Sequence, residues 1–144
     1  MIEQVLTSAK SLVGRPYKYG AVMDEAPAVF DCSGFIKYIF GQAGIDLPRS
    51  TIEQAREGKE VKLDDLKPGD LIFMHGSYGH YNPHFPQGVG HVGIFTKDQT
   101  VIHAASTRLS EKPIIEEGGV VEMPSQDFLN GWSPMITIKR ILND

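Results

Sequence analysis

The sequence of 144 residues is poor in cysteine, because Cys32 is the only one. A single cysteine rules out an internal disulfide, so the fold must depend on packing alone. It also leaves two interpretations of Cys32, a small buried hydrophobic residue or a reactive thiol. Which interpretation applies depends on the residues around Cys32 and on the bases elsewhere in the chain.

The chain also lacks an excess of positive charge. Fourteen basic and eighteen acidic residues give a formal net charge of −4. This balance disfavours nucleic acid as a partner and disfavours an anionic membrane surface.

A long hydrophobic run is absent as well. No apolar stretch approaches the roughly 20 residues that cross a bilayer, so we expect no membrane span. The segment 1–14, MIEQVLTSAKSLVG, has neither the basic start nor the continuous apolar stretch of a secretory signal. We therefore expect a cytoplasmic protein, a protein exported by another route, or a domain of a longer secreted protein.

What is present indicates one ordinary globular domain. Hydrophobic residues make up 41% of the chain and charged residues 22%, which is typical of a folded soluble domain. No internal repeat, low-complexity tract or linker divides the sequence. We expect a single domain over residues 1–144, monomeric and without a cofactor.

The first part of the chain has the pattern of helices. Apolar residues recur at helical spacing over residues 2–13 and the pattern stops at Gly14. Asp31 is a suitable N-cap for a second helix that begins at Cys32 and turns its apolar face, with the thiol, toward the core. A capping box over residues 50–53 predicts a third, short helix that ends near residue 58.

The second part of the chain has the pattern of strands. Strand-like runs cover residues 71–74, 91–96, 100–105, 120–123 and 135–142. Helices followed by strands predict an α+β domain with an antiparallel sheet. The irregular segment 75–90 is longer than an ordinary loop, which favours a functional role at the edge of a substrate cleft.

Cysteine chemistry needs a thiolate and a base. A helix N-terminus stabilises a thiolate, so we expect the pKa of Cys32 to lie below that of a free thiol, ~8.5. Two of the five histidines, His91 and His103, lie in apolar strands, where an unpaired imidazole is costly. Either one alone is better explained as a core histidine with a hydrogen-bond partner. Together with Cys32 they supply a nucleophile, a base and a group that orients the base.

Several short segments carry a resemblance to a known family. Residues 31–35 (DCSGF), 90–94 (GHVGI) and 102–104 (IHA) resemble, in order and spacing, the catalytic motifs of the NlpC-type cell-wall peptidases. Residues 14–20, 47–50 and 68–71 resemble the flanking motifs of the same family. The resemblance extends over about residues 5–142, nearly the whole chain.

This resemblance implies a papain-like core with a Cys-His-His triad. Cys32 would be the nucleophile, His91 the general base and then acid, and His103 the group that orients His91. Tyr17 would help to hold the oxyanion, although it is also explained as a packed aromatic residue.

The resemblance also implies a substrate, the stem peptides of bacterial peptidoglycan. The bond would join the γ-carboxyl of D-glutamate to the diamino acid that follows. Asp31 and Ser33 would face the peptide before this bond, although Asp31 is also explained as a cap alone. Arg49, with Arg15 and Lys18, lies near the motifs and could attract the substrate carboxylates.

Other functions remain open on this sequence. The triad specifies thiol acyl chemistry and not the acyl donor, so an amidase or an acyltransferase is an alternative. A non-catalytic envelope or phage-tail binding module is another.

In the segment 75–90, His80, Tyr81, His84 and Phe85 could line a substrate cleft, or they could belong to a simple surface excursion. A zinc site at His75, His80 and His84 is disfavoured, because the segment holds no acid or second cysteine to complete it.

The triad also makes a demand on the strand register. His91 and His103 can meet only on the same face of the sheet, which we satisfy by placing them directly opposite each other. The connecting loop then has an odd number of residues, centred near Lys97. Gly93 and Ala105 would leave room for the Cys32 helix on this face. The apolar residues that alternate with these along the two strands would pack on the other face: Val92, Ile94, Ile102 and Ala104.

Overall fold

Four α-helices and eight strands form the part of the chain that the computed structural model describes, residues 1–76, 80–132 and 134–143. The helices are α1 (Ile2–Ser11), α2 (Cys32–Gly41), α3 (Thr51–Gln54) and α4 (Ser125–Gly131). The strands are β1 (Lys59–Glu60), β2 (Leu71–Met74), β3 (His80–Asn82), β4 (Phe85–Val89), β5 (His91–Phe95), β6 (Thr100–Glu111), β7 (Ile114–Pro124) and β8 (Met135–Arg140). The predicted order, helices and then strands, is confirmed apart from α4.

The predicted helix starts are confirmed by their caps. The Gly34 N–H donates to Asp31 Oδ1 over 2.8 Å at the start of α2, and the Glu53 N–H donates to Ser50 Oγ over 3.3 Å at the start of α3. The predicted end of α3 near residue 58 is wrong, because the helix makes a single turn before the chain turns toward β1. None of the described helices is both long enough and apolar enough to span a membrane.

A six-stranded antiparallel sheet forms the centre of the domain. Its strand order is β1-β8-β2-β5-β6-β7, so β8 lies between two strands that precede it in the chain. Strands β3 and β4 form a separate hairpin. The segment 75–90, predicted to be irregular, therefore contains two strands of its own.

The two faces of the sheet are covered by different helices. On one face, Val92 and Ile94 pack in a large cluster with Phe35 of α2 and with α1. On the other face, Phe95 packs in a smaller cluster with Phe128 of α4. Alternate residues of β5 therefore point toward α2 and toward α4, as the two-residue period of a strand requires.

The register of β5 and β6 differs from the predicted one by two residues. Ile94 pairs with Ile102 and Phe95 pairs with Val101, so paired numbers add up to 196 instead of the predicted 194. The loop is the three-residue segment 97–99, closed by the Thr96 N–H donating to the Thr100 carbonyl over 2.9 Å. Its odd length is as predicted, but its centre is residue 98. A shift by two residues keeps every side chain on its face, so His91 and His103 still share one.

A buried ion pair fixes β2 to β8. Asp70, 1% exposed, receives two hydrogen bonds of 2.8 Å from the guanidinium of Arg140, and the Lys67 N–H donates to its Oδ2 over 2.9 Å. Gly69 precedes it with a φ of 96°, a conformation that favours glycine. In this structure, the motif at residues 68–71 therefore orders the strands and has no contact with the thiol among the described residues.

Candidate active site

Cys32 lies at the first residue of α2 and packs against the larger hydrophobic cluster. Its Sγ is 3.6 Å from Thr51 Oγ1 and 3.9 Å from the carbonyl oxygen of Gly90. The backbone N–H groups of Ser33 and Val92 also interact with the sulfur and favour its thiolate. The thiol therefore sits between the start of α2 and the start of β5.

The pKa of Cys32 is raised to about 11, chiefly because burial disfavours the charged form. The Asp31 carboxylate raises the pKa further, whereas the hydrogen bonds from Thr51 and from the two backbone N–H groups lower it. Burial outweighs the helix N-terminus here. The predicted lowering of the thiol pKa is therefore wrong, and the free protein holds a neutral thiol.

The two histidines form a hydrogen-bonded pair. His91 Nε2 and His103 Nδ1 are 2.8 Å apart, and the ring planes are nearly perpendicular, at 84°. His91 is 7% exposed and His103 is 0% exposed. Burial lowers the pKa of His91 to about 3, with the charge of His103 adding to the effect, and burial lowers the pKa of His103 to about 4. Both imidazoles are therefore neutral at pH 7.

Helix α2, which was expected on the same face of the sheet as the two histidines, packs on the opposite face. Val92, Ile94, Ile102 and Ala104 pack in the same cluster as α2, so the prediction that they turn away from the Cys32 helix is wrong. A Cβ on Gly93 would overlap Val101 Cγ1 and lie 3.1 Å from Phe128 Cζ. The small residue at position 93 therefore makes room for α4 and not for α2.

The Cys32 thiol consequently lies beside the start of β5, whose first residue is His91. Among the described residues, no hydrogen bond joins the thiol to the His91 ring. The sulfur instead contacts the backbone of Gly90 and Val92, the residues on either side of His91. The start of β5 therefore contacts the thiol through its backbone, and it presents the imidazole as the side chain of His91.

Two aromatic residues that the sequence analysis did not single out enclose the histidine pair. Trp132 stacks on His91 with ring centres 5.1 Å apart and 14° between the planes. Phe128 and Trp132 both meet the His103 ring nearly perpendicularly, each with a centroid distance of 4.8 Å. The available signal was the single tryptophan of the chain, directly after a short helix.

The three expected substrate-binding residues lie together beside Cys32. Arg49 donates from Nη1 to Ser33 Oγ over 2.9 Å and from Nη2 to Asp31 Oδ2 over 2.8 Å, and it also donates to the carbonyl of Ala21. A Cβ on Gly34 would come within 2.8 Å of Asp31 Oδ1 and 3.4 Å of Arg49 Nη2. Asp31 is therefore both a helix cap and the partner of Arg49.

Residues of α3 complete this side of the site. Thr51 contacts the thiol, and Gln54, 0% exposed, donates from Nε2 to the carbonyl of Ser33 over 3.0 Å and to that of Pro48 over 2.8 Å. Neither residue was predicted, although both lie just after the motif at residues 47–50. Tyr17 is half-buried against the larger cluster, and its backbone bridges to Phe30, two residues before Cys32.

The segment 75–90 lies close to the thiol. Strand β4 contacts α3, Phe85 packs against the larger cluster, and Gly90 provides the carbonyl beside Cys32. His84 is exposed, whereas the side chains of His80 and Tyr81 lie outside the described residues. In the described part of the chain, no group of three or more His, Cys, Asp or Glu side chains is arranged to hold a metal ion.

A cysteine at a helix N-terminus, against an antiparallel sheet that carries a histidine pair, defines a papain-like α+β domain. The sequence pattern of the NlpC/P60 family matches residues 14–122, and the chain belongs to that family. The predicted resemblance is thereby confirmed.

Two curated relatives illustrate the likeness. A probable endopeptidase of Corynebacterium glutamicum is 36% identical over 111 residues, which cover 76% of this chain and 46% of the relative. Probable endopeptidase p60 of Listeria monocytogenes is 35% identical over 100 residues, 69% of this chain and 18% of the relative. The chain thus spans less than half the length of these two proteins.

Solved structures share the fold over almost the whole chain. The P60 domain of antigen MAP1204 from Mycobacterium avium subspecies paratuberculosis has a TM-score of 0.71 at 26% identity, covering 99% of this chain and 96% of that one. The peptidoglycan hydrolase RipB from Mycobacterium tuberculosis has a TM-score of 0.71 at 26% identity, covering 99% and 65%.

Proposed function

We propose that this chain is a cysteine peptidase that hydrolyses peptidoglycan stem peptides, at the bond between the γ-carboxyl of D-glutamate and the diamino acid. The observation that carries the proposal is the meeting of Cys32 with the strand that begins at His91, itself hydrogen-bonded to His103. Family membership supports it, as do the names of the relatives, probable endopeptidases and a peptidoglycan hydrolase.

The proposed reaction is acyl transfer from the amide to water. The Cys32 thiol gives its proton to His91 and its sulfur bonds to the amide carbon. Backbone N–H groups at the start of α2, and Tyr17, stabilise the oxyanion. His91 returns the proton to the leaving amine as the C–N bond breaks, and water, activated by His91, then releases the acyl group and restores the thiol.

The charge state of the free site bears on when the proton moves. Burial raises the pKa of Cys32 and lowers the pKa of His91, so the thiol and the imidazole are both neutral in the free protein. In the proposed reaction, proton transfer therefore accompanies attack, when the negative charge is passed on to the oxyanion. Catalytic hydrogen bonds are often long in a free enzyme and shorten in the complex, which agrees with the separate Cys32 and His91 contacts.

Substrate recognition is proposed at Asp31, Ser33 and Arg49. Two of the hydrogen bonds of Arg49 already go to Asp31 and Ser33. Its role is therefore to hold these two groups in place for the peptide that precedes the scissile bond. A guanidinium is suited to this task because its donors form a rigid, planar fork.

Hydrolysis of defined muropeptides, followed by mass spectrometry of the products, tests the proposal. We expect the wild type to release a fragment that ends in γ-D-glutamate, and Cys32→Ala to lose at least about 10⁴-fold in rate while keeping the thermal unfolding midpoint. Parallel substrates with lysine or diaminopimelate at the third position report the preferred stem. Cleavage at the glycan–peptide amide would indicate an amidase, and activity that survives in Cys32→Ala would overturn the cysteine mechanism.

A further inference from the structure

The histidine pair holds one polar atom that the proposed reaction does not explain. His103 uses Nδ1 in its bond to His91, but its Nε2 is buried and has no hydrogen-bond partner among the described residues. A buried polar atom without a partner is uncommon and costly. The surroundings of Nε2 should therefore decide whether it carries the proton.

Two arrangements of protons are possible in a neutral pair. A neutral imidazole has one N–H and one lone pair, and exactly one proton occupies a hydrogen bond between two rings. In the first arrangement His91 donates from Nε2, so His103 carries its proton on Nε2. In the second His103 donates from Nδ1, so its Nε2 is a bare lone pair and His91 carries its proton on Nδ1.

The aromatic neighbours favour the first arrangement. Phe128 and Trp132 both meet His103 at steep angles, 70° and 82°. The face of an aromatic ring is negative, so it attracts an N–H and repels a lone pair. Trp132 also stacks on His91 and therefore restrains both rings of the pair.

We infer that Trp132 and Phe128 are positioning residues that keep the proton of His103 on Nε2 and thereby leave the lone pair of His91 on Nδ1. The chemical meaning of this inference rests on the proposed role of His91 as base. Only an unprotonated Nδ1 can accept the thiol proton, because Nε2 is engaged with His103. In the second arrangement His91 would present an N–H at Nδ1 and could not act as the base.

Nitrogen-15 NMR of histidine-labelled protein tests the inference without any substrate. Protonated and unprotonated ring nitrogens have well-separated shifts, and single His→Gln variants assign the signals. We expect the wild type at pH 7 to show protonated Nε2 and unprotonated Nδ1 on both His91 and His103. A protonated Nδ1 on His103 would overturn the inference outright.

Variants of Trp132 test which group sets the tautomer. Trp132→Leu removes the aromatic face, and we expect the tautomer ratio of His103 to shift by roughly two- to fivefold, the size of a weak hydrogen bond to a ring. Trp132→Phe keeps a ring and should retain the wild-type shifts. Unchanged shifts in both Trp132→Leu and Phe128→Leu would exclude the aromatic pair as the cause. If Trp132→Leu does not fold, the wild-type and Trp132→Phe shifts still decide the tautomer.

The outcome is independent of the proposed function. A protein with the expected tautomers but no hydrolysis of any muropeptide would contradict the peptidase proposal alone. A protein that hydrolyses muropeptides with the opposite tautomers would contradict the inference alone.

Discussion

The two sides of the candidate site are built from opposite kinds of contact. On the cysteine side, Asp31, Ser33 and Arg49 are joined by charged and neutral hydrogen bonds, and 36% of the Arg49 side chain is exposed. On the histidine side, His91 and His103 share one hydrogen bond and are otherwise enclosed by aromatic rings.

This difference affects how each side responds to change. Because Arg49 is partly exposed, water can replace some of its lost hydrogen bonds on the cysteine side, so its substitution should cost less. The histidine pair is much less accessible to water, because His91 is 7% exposed and His103 is 0% exposed, so a new charge or a new atom there should be expensive. The following predictions test this contrast, beginning with the largest expected effect.

Acid should destabilise the protein through the histidine side. Histidines that ionise near pH 6.5 when unfolded stay neutral in the fold, with pKa values of about 3 and about 4, so the unfolded state takes up the protons. The free energy of unfolding is therefore complete above pH 6.5 and falls as the pH drops toward 4, by on the order of 3 kcal/mol for each histidine. Urea unfolding at a series of pH values measures this fall, and His103→Gln should make the free energy of unfolding depend less steeply on pH. An equal pH dependence in the wild type and in His103→Gln would contradict the prediction.

Gly93→Ala should destabilise the histidine side by its added methyl group. Because the new Cβ would overlap Val101 and press on Phe128, we expect a loss of about 1–3 kcal/mol in the free energy of unfolding. Gly41→Ala is the matched control, since a Cβ there meets no heavy atom within 4 Å and a helical alanine should stabilise α2 by about 0.5–1 kcal/mol. Similar free energies of unfolding for the two variants would contradict the prediction, because they would show that α4 moves to accommodate the added methyl group at little cost.

Arg49→Ala should have a smaller effect on stability than on hydrolysis. It removes the bonds to Asp31 and Ser33, but Asp31 keeps its cap bond to Gly34, so we expect a loss of about 1–2 kcal/mol. Arg49→Lys keeps the charge without the planar fork and should restore stability more than the rate of muropeptide hydrolysis. Lys10→Ala breaks a more exposed pair with Asp98 and provides the control. Full activity in Arg49→Ala would remove this residue from substrate recognition.

Thr51→Val should give the smallest effect, a further rise in the thiol pKa. The Thr51 hydroxyl favours the thiolate, so its loss should slow alkylation of Cys32 by less than about tenfold at pH 9, whereas Thr51→Ser should alkylate like the wild type. Iodoacetamide rates between pH 7 and 11 measure both the pKa and the shift. A wild-type rate that is already maximal at pH 7 would contradict the raised pKa.

Much of the fold could be predicted because local signals determine it. The Asp31 cap, the Ser50 capping box and the start of β5 at His91 were read from neighbouring residues. His91 and His103 share a face of the sheet in every register in which the paired residue numbers add up to an even number. This prediction is therefore confirmed although the register differs by two residues.

The features that could not be predicted from the sequence depend on contacts between distant segments. Nothing near Gly93 indicates that Phe128, 35 positions later in the sequence, fills the space beside it. The thiol pKa depends on how completely α2 is covered, which a helix N-terminus does not reveal. The length of the β6–β7 ribbon was underestimated because its outer residues have no apolar alternation.

The position of β8 between β1 and β2 has a consequence for how this protein is made. During synthesis, β2, β5, β6 and β7 can pair as soon as they leave the ribosome, but β1 and the outer edge of β2 must wait for residues 135–140. Until then β2 exposes an unpaired edge that is open to association with other chains. The Asp70–Arg140 ion pair joins residues 70 positions apart, so it can form only after that strand arrives, at a large cost in loop closure. Completion of the central sheet, and not formation of its hairpins, should therefore limit the rate of folding.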